Sequence, residues 1–208
     1  MNLLLRLYRI HLLLFIFITY SQQVIAQQVL NLDFEELSVE GPSRPWGWNV
    51  YSFAPGVAFI CDSLAAKSGK YSLKISNEEE TNDHPFELSF FVEPNQILNR
   101  KITIAAWAKS IDFKGKAGIN IKSVGSLGEE YGTLQEKNTE IQYSSEWRPY
   151  EIEIDLGLQP HSILVTLFFK GTGTVWFDNL ELKINGIKVQ EVPVAQKFSP
   201  TQFGQIEK

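Results

Sequence analysis

The sequence predicts an all-β chain folded as a two-sheet antiparallel sandwich. Short apolar runs follow one another, separated by turn residues. No stretch of the region after residue 26 carries a helical period, and glycine- or asparagine-rich turns fall between the runs. Repeated short strands with turn punctuation are the pattern of sandwiches and barrels.

Candidate strands are 29–34 (VLNLDF), 47–51 (GWNVY), 57–62 (VAFICD), 71–76 (YSLKIS) and 86–92 (FELSFFV). They continue with 101–109 (KITIAAWAK), 117–124 (AGINIKSV), 150–156 (YEIEIDL), 162–169 (SILVTLFF) and 175–184 (VWFDNLELKI). In 150–156, Ile152, Ile154 and Leu156 alternate with Glu151, Glu153 and Asp155, so one face is core and the other wet. The run 162–169 is apolar on both parities, as in a strand covered on both sides. Asn185-Gly186 between apolar residues is the signature of a type I′ hairpin, which needs positive φ at both central positions. Residues 76–85 and 126–140 are polar and are expected to be loops.

The first 26 residues read as an export signal. Arg6 and Arg9 precede the apolar stretch 10–20, and Val24 and Ala26 supply the small residues before a cut expected after Ala26. The apolar stretch is short for a membrane span. The expected organisation is a signal peptide over 1–26, one sandwich domain over 27–189, and a flexible tail or linker over 190–208. The protein would be periplasmic or extracellular.

The chain holds 19 basic and 24 acidic residues, a net charge of −5, and losing Arg6 and Arg9 makes it more acidic. Without a basic stripe, that balance argues against nucleic acid and anionic membranes as partners. Cys61 is the single cysteine, so no internal disulfide supports the fold. Its parity with Val57 and Phe59 makes it a small buried residue rather than a nucleophile.

No catalytic constellation assembles. His84 and His161 are the histidines beyond the signal, VGSLG (124–128) lacks the first glycine of a serine-hydrolase elbow, and no metal-ligand or phosphate-loop spacing occurs. NEEETND (77–83) reads as a solvated acidic loop. The chain is expected not to be an enzyme.

Asp178 raises the sharpest question. By parity it shares a face with Trp176, Leu180, Leu182 and Ile184, a row of core residues. A buried carboxylate must find a cation, hydrogen bonds or a proton. The readings open at this point are a metal site, a bulge at Asp178, or backbone N–H groups that donate to it. Trp107 and Trp176 are expected in the core, and Trp147 at a strand-closing corner.

The ordered motifs NLDFEE, SGKYSLKI, KITIAAWAK, SEWRPYEIEIDL and GTGTVWFDNLEL resemble galactose-binding-like jelly rolls, most nearly the carbohydrate-binding modules of families 4, 9 and 22. With LNLDFEE, PWGWNVY and LELKING, the order is also similar to N-terminal domains of secreted bacterial erythromycin-esterase-like or tail-specific-peptidase-like proteins. The resemblance implies a jelly-roll topology and a structural calcium site. Its side-chain ligands would be Glu35 and Asp178, with backbone oxygens from Asp33 and from the Ser68–Tyr71 turn. It also implies a glycan cleft bordered by Phe86 and Tyr131 as stacking platforms and by Glu130 and Gln135 as hydroxyl partners. Trp46 and Trp48 in PWGWNVY are further stacking candidates, because sugar sites need flat apolar faces beside a few polar groups. The function expected is a carbohydrate-binding module with a glycan or polysaccharide partner. The alternative is an interaction domain that packs against a hydrolase domain or partner protein and binds no small ligand.

Overall fold

The computed structural model describes residues 27–39, 41–79, 84–92, 101–125, 133–155, 161–189 and 191–193. The signal region and cut after Ala26, the loop residues Glu130 and Tyr131, and residues 194–208 lie outside these. Among the described residues there are thirteen strands and no helix, and hence no helix able to cross a membrane.

The strands are β1 (Gln27–Val29), β2 (Leu37–Ser38), β3 (Gly41–Pro45), β4 (Asn49–Ser52), β5 (Ala58–Asp62), β6 (Ser72–Asn77) and β7 (Phe86–Val92). They continue with β8 (Lys101–Gly125), β9 (Thr133–Glu140), β10 (Arg148–Asp155), β11 (His161–Ile184), β12 (Ile187–Val189) and β13 (Glu191–Pro193). All pairings are antiparallel.

Two long strands organise the fold. The expected strands 101–109 and 117–124 are one strand, β8, and 162–169 and 175–184 are one strand, β11; the two pair along almost their whole length. Their first and second halves belong to different layers. Layer one runs β5–β6–β11–β8–β10, using the first half of β8 and the second half of β11. Layer two runs β4–β7–β11–β8–β9, using the other halves. The corner between layers falls where Gly115 pairs with Gly171, at φ 142° and 132°. A Cβ on either glycine would strike backbone atoms of the opposite strand, so only glycine lets the pair turn together.

The inward parity of both layers forms one core. Leu73, Ile75, Ile104, Val175 and Phe177 from layer one join Leu88, Ile119, Ile121, Val165 and Leu167 from layer two in a single buried cluster. Phe59 on β5 meets Phe86 on β7 at 5.1 Å between ring centroids, although these strands share no ladder. As expected, Ile152 and Ile154 are buried on β10. Cys61 is buried too; burial, and then the charge of Glu35, push its thiol up to about 12, so it stays a neutral apolar group.

Three local expectations need correction. Residues 30–36 are irregular rather than strand, with Phe34 at φ 61°. The stretch is held instead by Asn31, whose amide donates to the carbonyls of Glu36 (2.7 Å) and Trp46 (3.0 Å) and accepts from the Glu36 N–H (3.0 Å). The region 126–140 is not all loop, since β9 occupies its second half and completes layer two. Finally, Trp176 is buried as expected but outside the central cluster, on the outer side of its sheet, and Trp107 there is only half-buried. A register shift between Asp178 and Glu181, with Asn179 at φ 50°, resets the alternation of β11. Phe177 points inward before the bulge and Leu180 after it, which leaves Trp176, Asp178 and the paired Trp107 on the outer face of layer one. The Asn185-Gly186 hairpin has the expected positive φ at both positions, 51° and 79°.

Candidate functional site

The bulge places Asp178 against the turn that joins β5 to β6. Its side chain is fully buried, and Oδ2 accepts the N–H groups of Lys67 (2.6 Å) and Ser68 (3.0 Å), while Oδ1 accepts that of Asn179 (2.5 Å). Two residues further along the same turn, Glu35 Oε1 accepts the N–H groups of Lys70 (2.7 Å) and Tyr71 (2.9 Å). Gly69 between them is at φ 60°, and a Cβ there would collide with the Glu35 carboxylate. Asp33 is exposed; its Oδ1 accepts the Glu35 N–H at 3.4 Å. The Leu180 N–H, just past the bulge, donates to the Leu32 carbonyl (2.9 Å). The turn therefore clamps the N-terminal segment to the last long strand through two carboxylates and a set of amides.

The electrostatics of this clamp are unbalanced. Burial raises the Asp178 pKa, the Ser68, Lys67 and Asn179 amides lower it, and the charge of Glu35 raises it again, for a net rise. Neither carboxylate takes part in an ion pair among the described residues. The donors bear on whether a cation suits the turn. Amide hydrogens already meet Oδ1 and Oδ2 of Asp178 and Oε1 of Glu35, and among the described residues no three His, Cys, Asp or Glu side chains gather as metal ligands. A carboxylate still has lone pairs in reserve beyond those bonds. The residual negative charge suits a hard cation that takes oxygen ligands.

A second feature lies on the outer face of layer two. Paired residues on neighbouring strands share a face, so the register gives one row across all five strands: Asn49, Ser89, Thr166, Asn120 and Asn138. The row is polar throughout, yet Ser89, Thr166 and Asn120 are almost inaccessible. Ser89 and Thr166 share a hydrogen bond of 2.8 Å, and Asn120 Nδ2 donates to Glu136 Oε1 at 2.5 Å. The Asn120 carbonyl oxygen, buried like the rest of its side chain, has no hydrogen-bond partner. An orphaned buried acceptor costs about 1–3 kcal/mol, and such a group calls for an explanation such as a ligand donor. The other unpartnered group among the described residues, Ser123 Oγ, is on the inward parity of β8.

Two rows border this one. On one side stand Phe91, Leu164, Lys122 and Glu136, and on the other Glu87, Phe168, Gly118 and Glu140. A Cβ on Gly118 would run into the Phe168 ring, so the missing side chain makes room for that aromatic on the outer face. Lys122 Nζ lies 3.6 Å from Glu136 Oε1. Burial raises the Glu87 pKa, Lys122 lowers it, and Glu136 raises it again, which puts these three charges in one neighbourhood.

The sequence-predicted ligand residues separate. Trp46 is exposed (44 %) in the turn before β4. Trp48 is half-buried, wedged between Phe34 (5.3 Å) and Phe90 (4.7 Å), with Nε1 donating to the Asn31 carbonyl at 2.9 Å. Phe86 is fully buried and stacks on Phe59, so it offers no face to a ligand; its parity with Leu88 and Phe90 already belonged to the core. Gln135 lies on β9 opposite Ser123, and its side chain is outside the described part. Glu130 and Tyr131 are outside it altogether. Tyr51 (53 %) and Phe53 (69 %) are exposed aromatics beside Trp46 in sequence. Of the outer row of layer two, the sequence signal was present but unread: Ser89, Asn120 and Thr166 each interrupt an apolar strand on its outward parity.

No family model and no curated protein matches the chain. Among solved structures, it is similar to the enzymatically active domain of tailspike protein 4 from bacteriophage CBA120, with TM-score 0.53 and 9% identity over 74% of this chain and 21% of that one. It is also similar to the CBM22-1 xylan-binding domain of Paenibacillus barcinonensis Xyn10C, with TM-score 0.48 and 15% identity over 75% of this chain and 93% of that one. A third is the family 11 carbohydrate-binding module from Clostridium thermocellum in complex with a β-1,3-1,4-mixed-linked tetrasaccharide, with TM-score 0.48 and 16% identity over 75% and 94%. The chain is a jelly-roll β-sandwich. At these identities the likeness is one of fold alone, and a fold hosts many functions.

Proposed function

We propose that this chain is an exported, non-catalytic module that binds an uncharged glycan on the outer face of layer two. The polar row supports this reading best: Asn49 and Asn138 stand exposed at its two ends as partners for sugar hydroxyls, and the Asn120 carbonyl between them in the row lacks a donor. Phe168 over Gly118 supplies an apolar face for sugar C–H groups, and Glu87, Glu136 and Glu140 repel polyanions. By the sequence resemblance, Glu130 and Tyr131 contribute to the same cleft, with Trp46 as a further stacking surface, whereas Gln135 is paired with Ser123 on the inward parity and is not assigned to it. Export follows from the signal over 1–26, with release after Ala26.

Affinity gel electrophoresis against xylan, mixed-linked glucan, galactan and other uncharged polysaccharides tests the reading. At least one is expected to retard the protein, and Asn120→Ala and Phe168→Ala each to weaken retardation about tenfold or more while the fold persists by circular dichroism. Retardation by none of them, or an unchanged Asn120→Ala protein, overturns it.

Calcium is proposed at the Glu35–Asp178 clamp, with the two side chains and the backbone oxygens of Asp33, Ser68 and Tyr71 as its ligands. The ion would neutralise the clamp's residual charge. A saturable calorimetric heat with calcium and a melting temperature raised by several degrees over chelator are expected, since a ligand specific to the native state stabilises it. Identical melts with calcium and chelator would leave the amides alone to hold the clamp.

A further inference from the structure

The outer face of layer one carries an arrangement that neither the clamp nor the glycan face uses. Trp176 lies in a cross-strand row with Lys74 on one side and Lys109 on the other, and their Nζ atoms stand 5.6 and 4.9 Å from its ring centroid. Lys109 is also 5.2 Å from the ring of Trp147, and Lys67 of the clamp turn is 4.2 Å from that of Trp107. Trp176 is fixed in place, because its Nε1 donates to the buried Asp62 Oδ2 at 2.8 Å. The second Asp62 oxygen accepts the Leu64 N–H, and the Asp178 oxygens are taken by amides. Those N–H groups satisfy Asp62 and Asp178 but leave their charge in place, and Glu151, Glu153 and Glu181 stand farther along the same outer face, the last two paired with lysines.

Five lysines elsewhere on the surface are paired with acids. Lys101, Lys116, Lys122, Lys183 and Lys188 each lie against a glutamate. Among the described residues, Lys67, Lys74 and Lys109 have no carboxylate partner and rest on indole rings instead. A ring face orients an ammonium without cancelling its charge. The outcome is three ammonium groups held at the surface over two buried carboxylates, on a chain of net charge −5. Ile60, beside Lys74 in the same row, and Ile111, two residues past Lys109, are 40% and 43% exposed and add apolar ledges.

We infer that this face is a second binding surface, for a polyanionic glycan such as a polyuronate. Spaced ammonium groups match carboxylates repeated along a chain, and the isoleucines accept sugar C–H faces. An open sheet face suits an extended polymer better than a small ion. An anionic lipid surface presents the same charge as a polyuronate, and the vesicle arm of the test separates the two.

The inference is independent of the uncharged-glycan reading, and the probes separate the two. Polygalacturonate in affinity gels at low salt is expected to retard the wild-type protein, with the effect lost on adding salt. Combined Lys67→Gln, Lys74→Gln and Lys109→Gln is expected to weaken that binding about tenfold or more, with Asn120→Ala having no effect on it. If the triple variant does not fold, Lys109→Gln alone reads the same loss on a smaller scale, because Lys109 touches two rings. No retardation by polygalacturonate, an undiminished variant, or binding only to phosphatidylglycerol-containing vesicles overturns the inference.

Discussion

Asp178→Ala is expected to lower the unfolding free energy by about 3 kcal/mol in chelator, measured by urea denaturation. The variant leaves the Lys67 and Ser68 N–H groups facing a cavity where a carboxylate oxygen accepted both. It also releases the turn that holds Glu35 and, through it, the N-terminal segment. Asp178→Asn keeps the volume and one acceptor oxygen, and is expected to cost about half as much at neutral pH. The pH dependence carries a definite sign. The folded pKa of Asp178 lies above its ordinary value of 3.8, so the folded chain holds that proton more tightly than the unfolded chain does. The stability this group contributes is therefore full below the ordinary value and is lost as pH rises through the raised one. Relative to Asp178→Asn, the wild type is expected to lose stability as pH climbs from the ordinary value through the raised one and then to level off. A difference independent of pH would mean that Asp178 titrates as it does in the unfolded chain.

The same residue shows what could be read from sequence and what could not. Strand identity was legible wherever one face was apolar and the other polar: Ile152 and Ile154 on β10, or Leu73 and Ile75 on β6, fall on the side their spacing predicts. The two alternatives for Asp178 without a metal, a bulge and backbone N–H bonds, are both present together. Its face was misread because parity assumes an unbroken ladder, and one extra residue at Asn179 turns the alternation over. The burial of Trp176 was anticipated and its location was not, since a tryptophan under lysines on an outer face is as inaccessible as one in a core. The glycan-face row was illegible for a different reason. Asn49, Ser89, Asn120, Asn138 and Thr166 come from five strands scattered over most of the chain, and only the register brings them into line. A polar residue on the outward parity of an otherwise apolar strand was the available hint, and without the pairing order it could not be assembled.

Alanine at Gly171 is expected to abolish folding or to cost more than about 4 kcal/mol, a larger effect than any side-chain truncation on the outer faces. Two penalties combine there. The backbone is at φ 132°, a region closed to residues with a Cβ, and the added atom would strike the Lys114 carbonyl across the pair. Gly115 repeats the problem from the other strand, at φ 142° against the Lys170 carbonyl. Relief by separating the strands is not available, because the layers diverge from this point and every pairing of the β8–β11 ladder on either side depends on it. Gly47 provides the control: its φ is 80°, but nothing lies within 4 Å of a Cβ built there. Gly47→Ala is therefore expected to cost about 1 kcal/mol, the conformational penalty alone. Thermal melts of the three alanine variants separate the terms. If Gly171→Ala and Gly47→Ala destabilise equally, close approach of the strands contributes nothing and the corner is a matter of backbone angle only. If Gly115→Ala and Gly171→Ala both fall far below Gly47→Ala, contact between the facing glycines is what allows two strands to serve two sheets, and with them both the polar row of layer two and the lysine–tryptophan face of layer one.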